Sequence, residues 1–274
     1  MLISFPVLAT PATVFLVQSE FMNKKTDYIA VFDSGVGGIS VLRELVKHMP
    51  GERFLYFGDS ANAPYGTRTL EQIRALTLEA AQKLVRQPIK ALVVACNTAT
   101  SAAIDLLRST YPDLIIVGIE PALKVAADRF SKGRVGVMAT PATLKQEKFA
   151  RQAERFAELE LLPIPLPELV ELVEAGKGDS DETEQYLRRQ LAPYIGKLDA
   201  VVLGCTHYPF AASRIAKVLG GDVVICDGSE GTARQTKRRL EQAGLLNDDR
   251  AQVRIENSCN TPQMLQLCMK LLEQ

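Results

Sequence analysis

Two apolar segments that each end in a cysteine constrain the fold of this chain more than any other feature. The first reads Val93-Val94-Ala95-Cys96 and the second reads Val201-Val202-Leu203-Gly204-Cys205. Short β-branched runs bounded by small polar residues are typical of buried strands that end in a loop. In open parallel sheets, ligands collect outside the carboxyl ends of the strands. The sequence therefore predicts two strands that carry two thiols to their ends, one in each of two lobes.

Strand-like and helix-like segments alternate along most of the chain. Residues 28–32 predict a strand, followed by a glycine-rich turn and a helix whose apolar residues run from Ile39 to Met49. Alternation of this kind is typical of parallel sheets with helices on both faces. We therefore expect an α/β protein whose two similar open parallel-sheet lobes face each other across a substrate cleft.

A weak internal repeat supports the two lobes. The segments Val31-Phe32-Asp33-Ser34 and Val137-Met138-Ala139-Thr140 are both predicted strand ends, 106 residues apart, and Cys205 follows Cys96 after 109 residues. Nearly equal intervals indicate duplicated units.

The last predicted elements are too few for a third domain, so they are expected to return to the first lobe. We expect residues 22–119 together with 229–274 to form the first lobe and residues 120–228 to form the second. The chain is predicted to cross between lobes at Glu120-Pro121. Residues 1–21 precede the first strand and are expected to be an N-terminal extension that the fold does not need.

Several helix starts and strand positions can also be predicted. Thr69 with Gln72, and Thr143 with Gln146, have the spacing of a capping box at the start of a helix. Beyond them, the pattern predicts helices at about 167–175 and 180–194 and then a strand at 199–203 that leads to the second cysteine.

Composition excludes several classes of protein. The 32 basic and 32 acidic side chains balance, with no basic block, so nucleic acid is not expected as a main partner. The apolar N-terminal stretch lacks a basic region and is short for a bilayer span, so no membrane is expected either. Five scattered cysteines and two histidines predict neither a disulfide framework nor a metal site, which favours a cytoplasmic protein.

The two strand-end cysteines are the first candidates for chemistry. A single free cysteine is most often a small buried apolar residue. Two thiols beside small residues with free backbone N–H groups suit proton removal from one face of a carbon and proton return to the other. Asp33 is either a turn residue or a group that orients a thiol or binds an ammonium. His207 lies two residues after Cys205, where it can donate to or accept from the thiol or a ligand.

The motifs together resemble those of the glutamate racemases, in the aspartate/glutamate racemase family. The resemblance covers residue 28 to the C-terminus, in order, and excludes residues 1–21. Its motifs are Val31-Phe32-Asp33-Ser34-Gly35-Val36-Gly37-Gly38, Gly58-Asp59-Ser60 with Pro64-Tyr65-Gly66, Cys96-Asn97-Thr98-Ala99-Thr100 and Gly204-Cys205-Thr206-His207-Tyr208-Pro209.

The resemblance implies a racemase that needs no cofactor and makes D-glutamate for peptidoglycan synthesis. It implies that Cys96 is the base for D-glutamate and Cys205 the base for L-glutamate, with Asp33 assisting the first and Glu171 and His207 assisting the second. The substrate-binding residues that it implies are Asp33, Ser34, Tyr65, Gly66, Asn97, Thr98, Thr140, Thr206 and His207. Glutamate is the expected partner, a cell-wall precursor is a candidate activator because some family members have one, and a monomer or homodimer is expected.

Two other functions fit the same residues. A racemase of aspartate or another small acidic amino acid would need the same paired thiols. A two-lobed binding protein for an acidic amino acid would have the same lobes with inert cysteines. Exchange of the Cα hydrogen with solvent separates the binding protein from the racemases, and a comparison of aspartate with glutamate separates the two racemases.

Overall fold

The computed structural model describes residues 24–119, 122–145, 147–248 and 252–274. The predicted extension 1–21, the predicted crossing at residues 120 and 121, and Gln146 lie outside these residues. The described strands form two sheets, and every pairing between strands is parallel. The predicted fold class is therefore confirmed. We call the elements packed around each sheet the first and the second lobe.

The first sheet has the strand order β4-β3-β1-β2-β9. Its strands are β1 (Tyr28–Asp33), β2 (Arg53–Gly58), β3 (Ile89–Val94), β4 (Ile115–Gly118) and β9 (Gln252–Asn257). β1 and β3 are buried along their whole length, because helices cover both faces of the sheet, and their sequences are accordingly continuous apolar runs. β9 pairs with β2, so the end of the chain returns to the first sheet.

The second sheet has the strand order β6-β5-β7-β8. Its strands are β5 (Gly133–Ala139), β6 (Leu159–Pro165), β7 (Ala200–Leu203) and β8 (Val224–Cys226). The sequence pattern did not predict β6, which contains Pro163 and Pro165. A proline cannot donate to the ladder and is tolerated at a sheet edge, which is where β6 lies.

Helices connect the strands and cover both sheets. They are α1 (Ile39–His48), α2 (Leu70–Val85), α3 (Asn97–Thr110), α4 (Ala122–Arg129), α5 (Pro141–Leu144), α6 (Glu147–Arg155), α7 (Pro167–Glu174), α8 (Asp181–Leu191), α9 (Ala212–Leu219), α10 (Ser229–Gln242) and α11 (Pro262–Glu273). Among the described residues, none of these helices combines the length and the apolar character needed to cross a membrane.

The helix starts only partly follow the sequence predictions. The capping box of Thr69 and Gln72 is confirmed at the start of α2. The capping role predicted for Thr143 is wrong, because its backbone N–H donates to Thr140 Oγ1 and Thr140 is the N-cap residue of α5. The predicted helix 180–194 is α8, which ends at Leu191. Helix α9 was not predicted from the sequence. Helix α3 begins at Asn97, about two residues earlier than expected.

The sheet registers give the internal repeat a structural basis. Val31 pairs with Val93 in the first sheet, and Val137 pairs with Val202 in the second. The order β3-β1-β2 therefore corresponds to β7-β5-β6. Cys96 and Cys205 each lie three residues beyond the paired valine, so they take equivalent places in the two lobes.

Candidate active site

A pocket lies between the lobes, at the carboxyl ends of β1, β3, β5 and β7. It encloses about 620 Å³ of space, part of which is open to solvent. The predicted site residues that line it are Ser34, Tyr65, Gly66, Cys96, Asn97 and Thr98 from the first lobe and Thr140, Glu171, Cys205, Thr206 and His207 from the second. Two thiols that are 109 residues apart in the chain therefore face one cavity.

Cys96 is placed by the end of β3 and the start of α3. It is the N-cap residue of this helix, and its Sγ accepts the backbone N–H of Ala99 at 3.4 Å. Ser34 Oγ lies 3.4 Å from the same sulfur. Burial, with a contribution from the charge of Asp33, raises the pKa of the Cys96 thiol to about 12, although these two hydrogen bonds lower it. At neutral pH Cys96 is therefore a thiol, and a positive charge bound beside it would favour the thiolate.

Cys205 has a different environment, built around His207. The Cys205 Sγ lies 3.7 Å from His207 Nδ1, and His207 Nε2 lies 2.7 Å from Glu174 Oε1. The Val36 backbone N–H, from the first lobe, donates to the same carboxylate oxygen at 3.0 Å. A thiol, an imidazole and a carboxylate thus form one chain of contacts, which the first lobe completes.

The charges of His207 and Glu174 favour each other. Burial lowers the pKa of His207, but the contacts with Cys205 and Glu174 outweigh it and hold this pKa well above its ordinary value. Burial likewise raises the pKa of Glu174, and the hydrogen bonds with His207 and Val36 outweigh it and lower this pKa. The pair therefore carries an imidazolium and a carboxylate, and the imidazolium lies beside the Cys205 sulfur.

The acidic residue that contacts His207 is Glu174. The resemblance implied that a different glutamate, Glu171, assists Cys205, and that role stays a prediction. Both glutamates lie on α7 and line the pocket, but only Glu174 contacts His207 among the described residues. Residues three apart lie on neighbouring positions of a helix face, so the pattern of α7 does not separate them. The first lobe distinguishes the two glutamates, because the Val36 backbone N–H donates to Glu174.

Asp33 lies behind the pocket wall and is fully buried. Its Oδ1 accepts the Gly35 backbone N–H at 2.9 Å, and its Oδ2 accepts the Thr206 hydroxyl at 3.0 Å. Burial raises the pKa of Asp33, while the charge of His207 and these hydrogen bonds lower it. Asp33 therefore joins the first lobe to the loop that carries Cys205.

Three threonine hydroxyls meet where the lobes touch beside the pocket. Thr98 Oγ1 lies 3.3 Å from Thr140 Oγ1 and 3.1 Å from Thr143 Oγ1, and the last two oxygens are 3.0 Å apart. Thr98 and Thr140 were predicted to bind substrate, and Thr143 was not. Hydroxyl groups can donate to carboxylates and can also donate to and accept from each other. These three hydroxyls can therefore either bind an anion or hold the two lobes together through their hydrogen bonds to one another.

Tyr65 contributes its ring to the pocket, while its hydroxyl points elsewhere. This hydroxyl donates to Asp59 Oδ2 at 2.7 Å, and both side chains are buried. The next residue, Gly66, is so close to Thr140 that a Cβ atom would lie 2.9 Å from the Thr140 Cβ. The motif that contains Asp59 and Tyr65 therefore shapes one wall of the pocket, with Asp59 as the anchor.

Replacement of Gly37 by alanine should damage the site. The added Cβ would lie 2.4 Å from His207 Nδ1 and 2.6 Å from Thr206 Oγ1. We expect kcat/KM to fall about 10²-fold, because displacement of a site group by about 1 Å has that effect, and we expect the overpacking to cost about 1–3 kcal/mol of stability.

Steady-state kinetics and urea unfolding measure the two effects of the Gly37 substitution. Gly221→Ala is the matched control, because a Cβ there meets nothing within 4 Å. Normal kinetics of Gly37→Ala would contradict the described contact between the lobes.

Comparison with known proteins places this geometry in context. The family model for Asp/Glu/Hydantoin racemase matches residues 32–236. Glutamate racemase of Clostridium botulinum (strain Alaska E43 / Type E3) is 47% identical over 256 residues, which cover 92% of this chain and 99% of the relative.

Two solved structures are similar throughout. Glutamate racemase isoform RacE1 from Bacillus anthracis matches with a TM-score of 0.83 and 32% sequence identity. The match covers 91% of this chain and 95% of the chain of that structure. Escherichia coli glutamate racemase, solved with L-glutamate and the activator UDP-MurNAc-Ala, matches with a TM-score of 0.78 and 31% sequence identity. The match covers 90% of this chain and 94% of the chain of that structure.

Proposed function

The chain belongs to the Asp/Glu/Hydantoin racemase family, and from this premise we propose that its two thiols interconvert L-glutamate and D-glutamate. It is an amino-acid racemase and therefore an isomerase. Glutamate is favoured over aspartate because the relatives and structures with high similarity are glutamate racemases. D-Glutamate formed in this way supplies peptidoglycan synthesis.

The observation that carries the mechanism is the placement of Cys96 and Cys205. Both lie at equivalent strand ends, both are buried, and both line the same pocket from opposite lobes. Inversion at Cα requires that a proton leave one face of the carbon and return to the other. Two groups on opposite walls can do this, whereas a single side chain would have to reach both faces.

The two proton transfers can be written for the L-to-D direction. The Cys205 thiolate takes the Cα proton, the Cα–H bond breaks, and its electron pair is delocalised into the adjacent carboxylate. The Cys96 thiol then donates its proton to the opposite face of Cα and becomes a thiolate. The His207 imidazolium stabilises the Cys205 thiolate before the first step, and Glu174 holds that imidazolium in place. The D-to-L direction reverses these steps.

The substrate carboxylates are proposed to bind without a side-chain cation. In the described part of the chain, no lysine or arginine lines the pocket. Hydroxyl and amide donors replace them, together with backbone N–H groups at the start of α3, where the helix dipole favours an anion. The proposed binding residues are Ser34, Asn97, Thr98, Thr140 and Thr206, with Tyr65, Gly66 and His207 completing the wall and Asp33 behind it.

The lobes, residues 22–119 with 229–274 and residues 120–228, close on glutamate and exclude water. The enzyme works in the cytoplasm as a monomer or homodimer. A cell-wall precursor is a candidate activator, because the Escherichia coli relative was solved with UDP-MurNAc-Ala as its activator.

Racemisation of purified protein tests the proposal. Circular dichroism should show that either enantiomer of glutamate loses its optical signal, and in deuterium oxide the Cα hydrogen should exchange. Aspartate under the same conditions should react far more slowly. Binding of glutamate without exchange would indicate a binding protein, and faster reaction of aspartate would indicate the alternative racemase.

A further inference from the structure

Tyr56, on β2, is fully buried and does not line the thiol pocket. Its ring lies in the apolar core of the first lobe, and its hydroxyl donates to the Gly35 carbonyl oxygen at 2.7 Å. Gly35 belongs to the turn that follows β1. The hydroxyl therefore joins the core of the first lobe to the segment of that lobe that meets the second.

The Gly35 carbonyl and the Val36 N–H belong to one peptide group. This peptide is trans, so its C=O and its N–H point in opposite directions from one rigid plane. The Tyr56 hydroxyl binds the carbonyl, and the N–H donates to Glu174 Oε1 at 3.0 Å. The peptide plane is therefore held from both sides, by the core of the first lobe and by a carboxylate of the second.

The space around this peptide is filled. A Cβ at Gly35 would collide with Glu174 Oε1, and a Cβ at Gly58 would collide with the Gly35 carbonyl oxygen. The Gly35 N–H also donates to Asp33 Oδ1 at 2.9 Å. Packing thus sets the position of the turn, and the two hydrogen bonds of the peptide set its orientation.

The contacts continue from Glu174 to a sulfur atom. Glu174 Oε1 lies 2.7 Å from His207 Nε2, and His207 Nδ1 lies 3.7 Å from Cys205 Sγ. Hydrogen bonds in such a chain polarise one another where the local dielectric is low. A donor on the Gly35 carbonyl therefore makes the Val36 N–H a stronger donor to Glu174.

We propose that Tyr56 is a positioning residue for the reaction at Cys205, which acts through the Gly35–Val36 peptide on Glu174 and His207. It orients the Val36 N–H toward Glu174 and so holds this carboxylate, as an anion, against the imidazolium. The effect on racemisation rests on the proposed function, whereas the effect on His207 does not.

The hydroxyl of Tyr56 keeps its proton over the working pH range. Burial, with a contribution from the charge of Asp33, holds the pKa of Tyr56 well above its ordinary value. Tyr56→Phe therefore removes a neutral donor and adds no charge. The titratable groups within electrostatic reach of the Glu174–His207 pair, among the described residues, include Asp33, Tyr56, Cys205 and Cys268.

Histidine NMR tests the inference without turnover, because the chain has two histidines, His48 and His207. Burial raises the pKa of Glu174 and the bonds with His207 and Val36 lower it, so a weaker Val36 bond raises this pKa. The His207 imidazolium in Tyr56→Phe should then lose its proton at a lower pH, by at least about twofold in proton affinity, the lower limit for one hydrogen bond. The signals of His48, on α1, should not change.

Steady-state kinetics measure the effect on turnover. We expect kcat/KM of Tyr56→Phe to fall about five- to tenfold, the effect of one buried hydrogen bond. Tyr28→Phe is the matched control, because the Tyr28 hydroxyl contacts Gln252 and Arg53 at the other end of the first sheet. It should leave both kcat/KM and the His207 titration unchanged, and urea unfolding checks that both variants fold.

A double-mutant cycle separates positioning from damage to the fold. In a Glu174→Ala background, Tyr56→Phe should lower kcat/KM by less than about twofold, because the group through which Tyr56 acts is absent. An equal loss in both backgrounds, an unchanged His207 titration, or an equal loss in Tyr28→Phe would overturn the inference. Wild-type protein that does not racemise glutamate would contradict the proposed function alone, since the His207 titration would still decide the role of Tyr56.

Discussion

Replacement of either Cys96 or Cys205 by serine is expected to abolish racemisation of both enantiomers. A serine hydroxyl is a far weaker acid and base than a thiol, and each direction needs both groups. General acid–base catalysis contributes roughly 10²–10⁴-fold for each group, so kcat should fall by at least about 10²-fold. Circular dichroism with each enantiomer measures the loss, and Cys259→Ser, at an exposed cysteine outside the pocket, is the matched control.

The single variants should also differ from each other. Elimination of a leaving group from the β-carbon needs one base, so each variant can still process one enantiomer of a suitable glutamate analogue. Cys205→Ser retains Cys96 and should process the D-enantiomer, whereas Cys96→Ser should process the L-enantiomer. If both variants process the same enantiomer, or if either racemises glutamate at a near-normal rate, the two-base assignment is wrong.

The second large effect is expected at Glu174. Glu174→Gln removes the carboxylate charge that holds the His207 imidazolium, at an Oε1 to Nε2 distance of 2.7 Å, and keeps the size of the side chain. We expect kcat/KM to fall by about 10²-fold, the lower end of the range for an acid–base group, because the His207 imidazolium beside Cys205 loses the carboxylate that favours it.

Neighbouring glutamates on α7 provide matched comparisons. Glu171→Gln should cost much less than Glu174→Gln, since Glu171 is exposed and does not contact His207 in the described structure. Glu168→Gln, which lies outside the pocket lining, should change kcat/KM by less than about threefold, the effect of about 0.5 kcal/mol. A loss at Glu171 equal to that at Glu174 would return the role to Glu171.

A pH profile distinguishes this positioning role from a structural one. Glu174 raises the pKa of His207, so its removal lowers that pKa and the imidazolium is lost at a lower pH. The alkaline limb of kcat/KM in Glu174→Gln should therefore move to lower pH. Simple damage to the fold would lower the whole profile and leave the limb where it is.

Local sequence determined the elements that carry the thiols. A β-branched run followed by a small polar residue has few structures open to it, so β3 and β7, and the cysteines after them, could be predicted from near neighbours. The same holds for the capping box at Thr69, whose hydrogen bonds join residues three apart. The internal repeat was visible because both lobes use the same register. β6 was missed because its prolines argue against a strand, except at the edge of a sheet.

Only the tertiary structure decided which side chains meet between the lobes. Glu171 and Glu174 are equivalent in the pattern of α7, and the Val36 N–H, 138 residues from Glu174 in the chain, distinguishes them. The contact of Asp33 with Thr206 joins residues 173 apart. Such pairs depend on how two separately formed lobes pack, and no local propensity encodes that packing. The sequence by itself therefore determined the two thiols and the strands that carry them, while the fold selected the groups that set their charge.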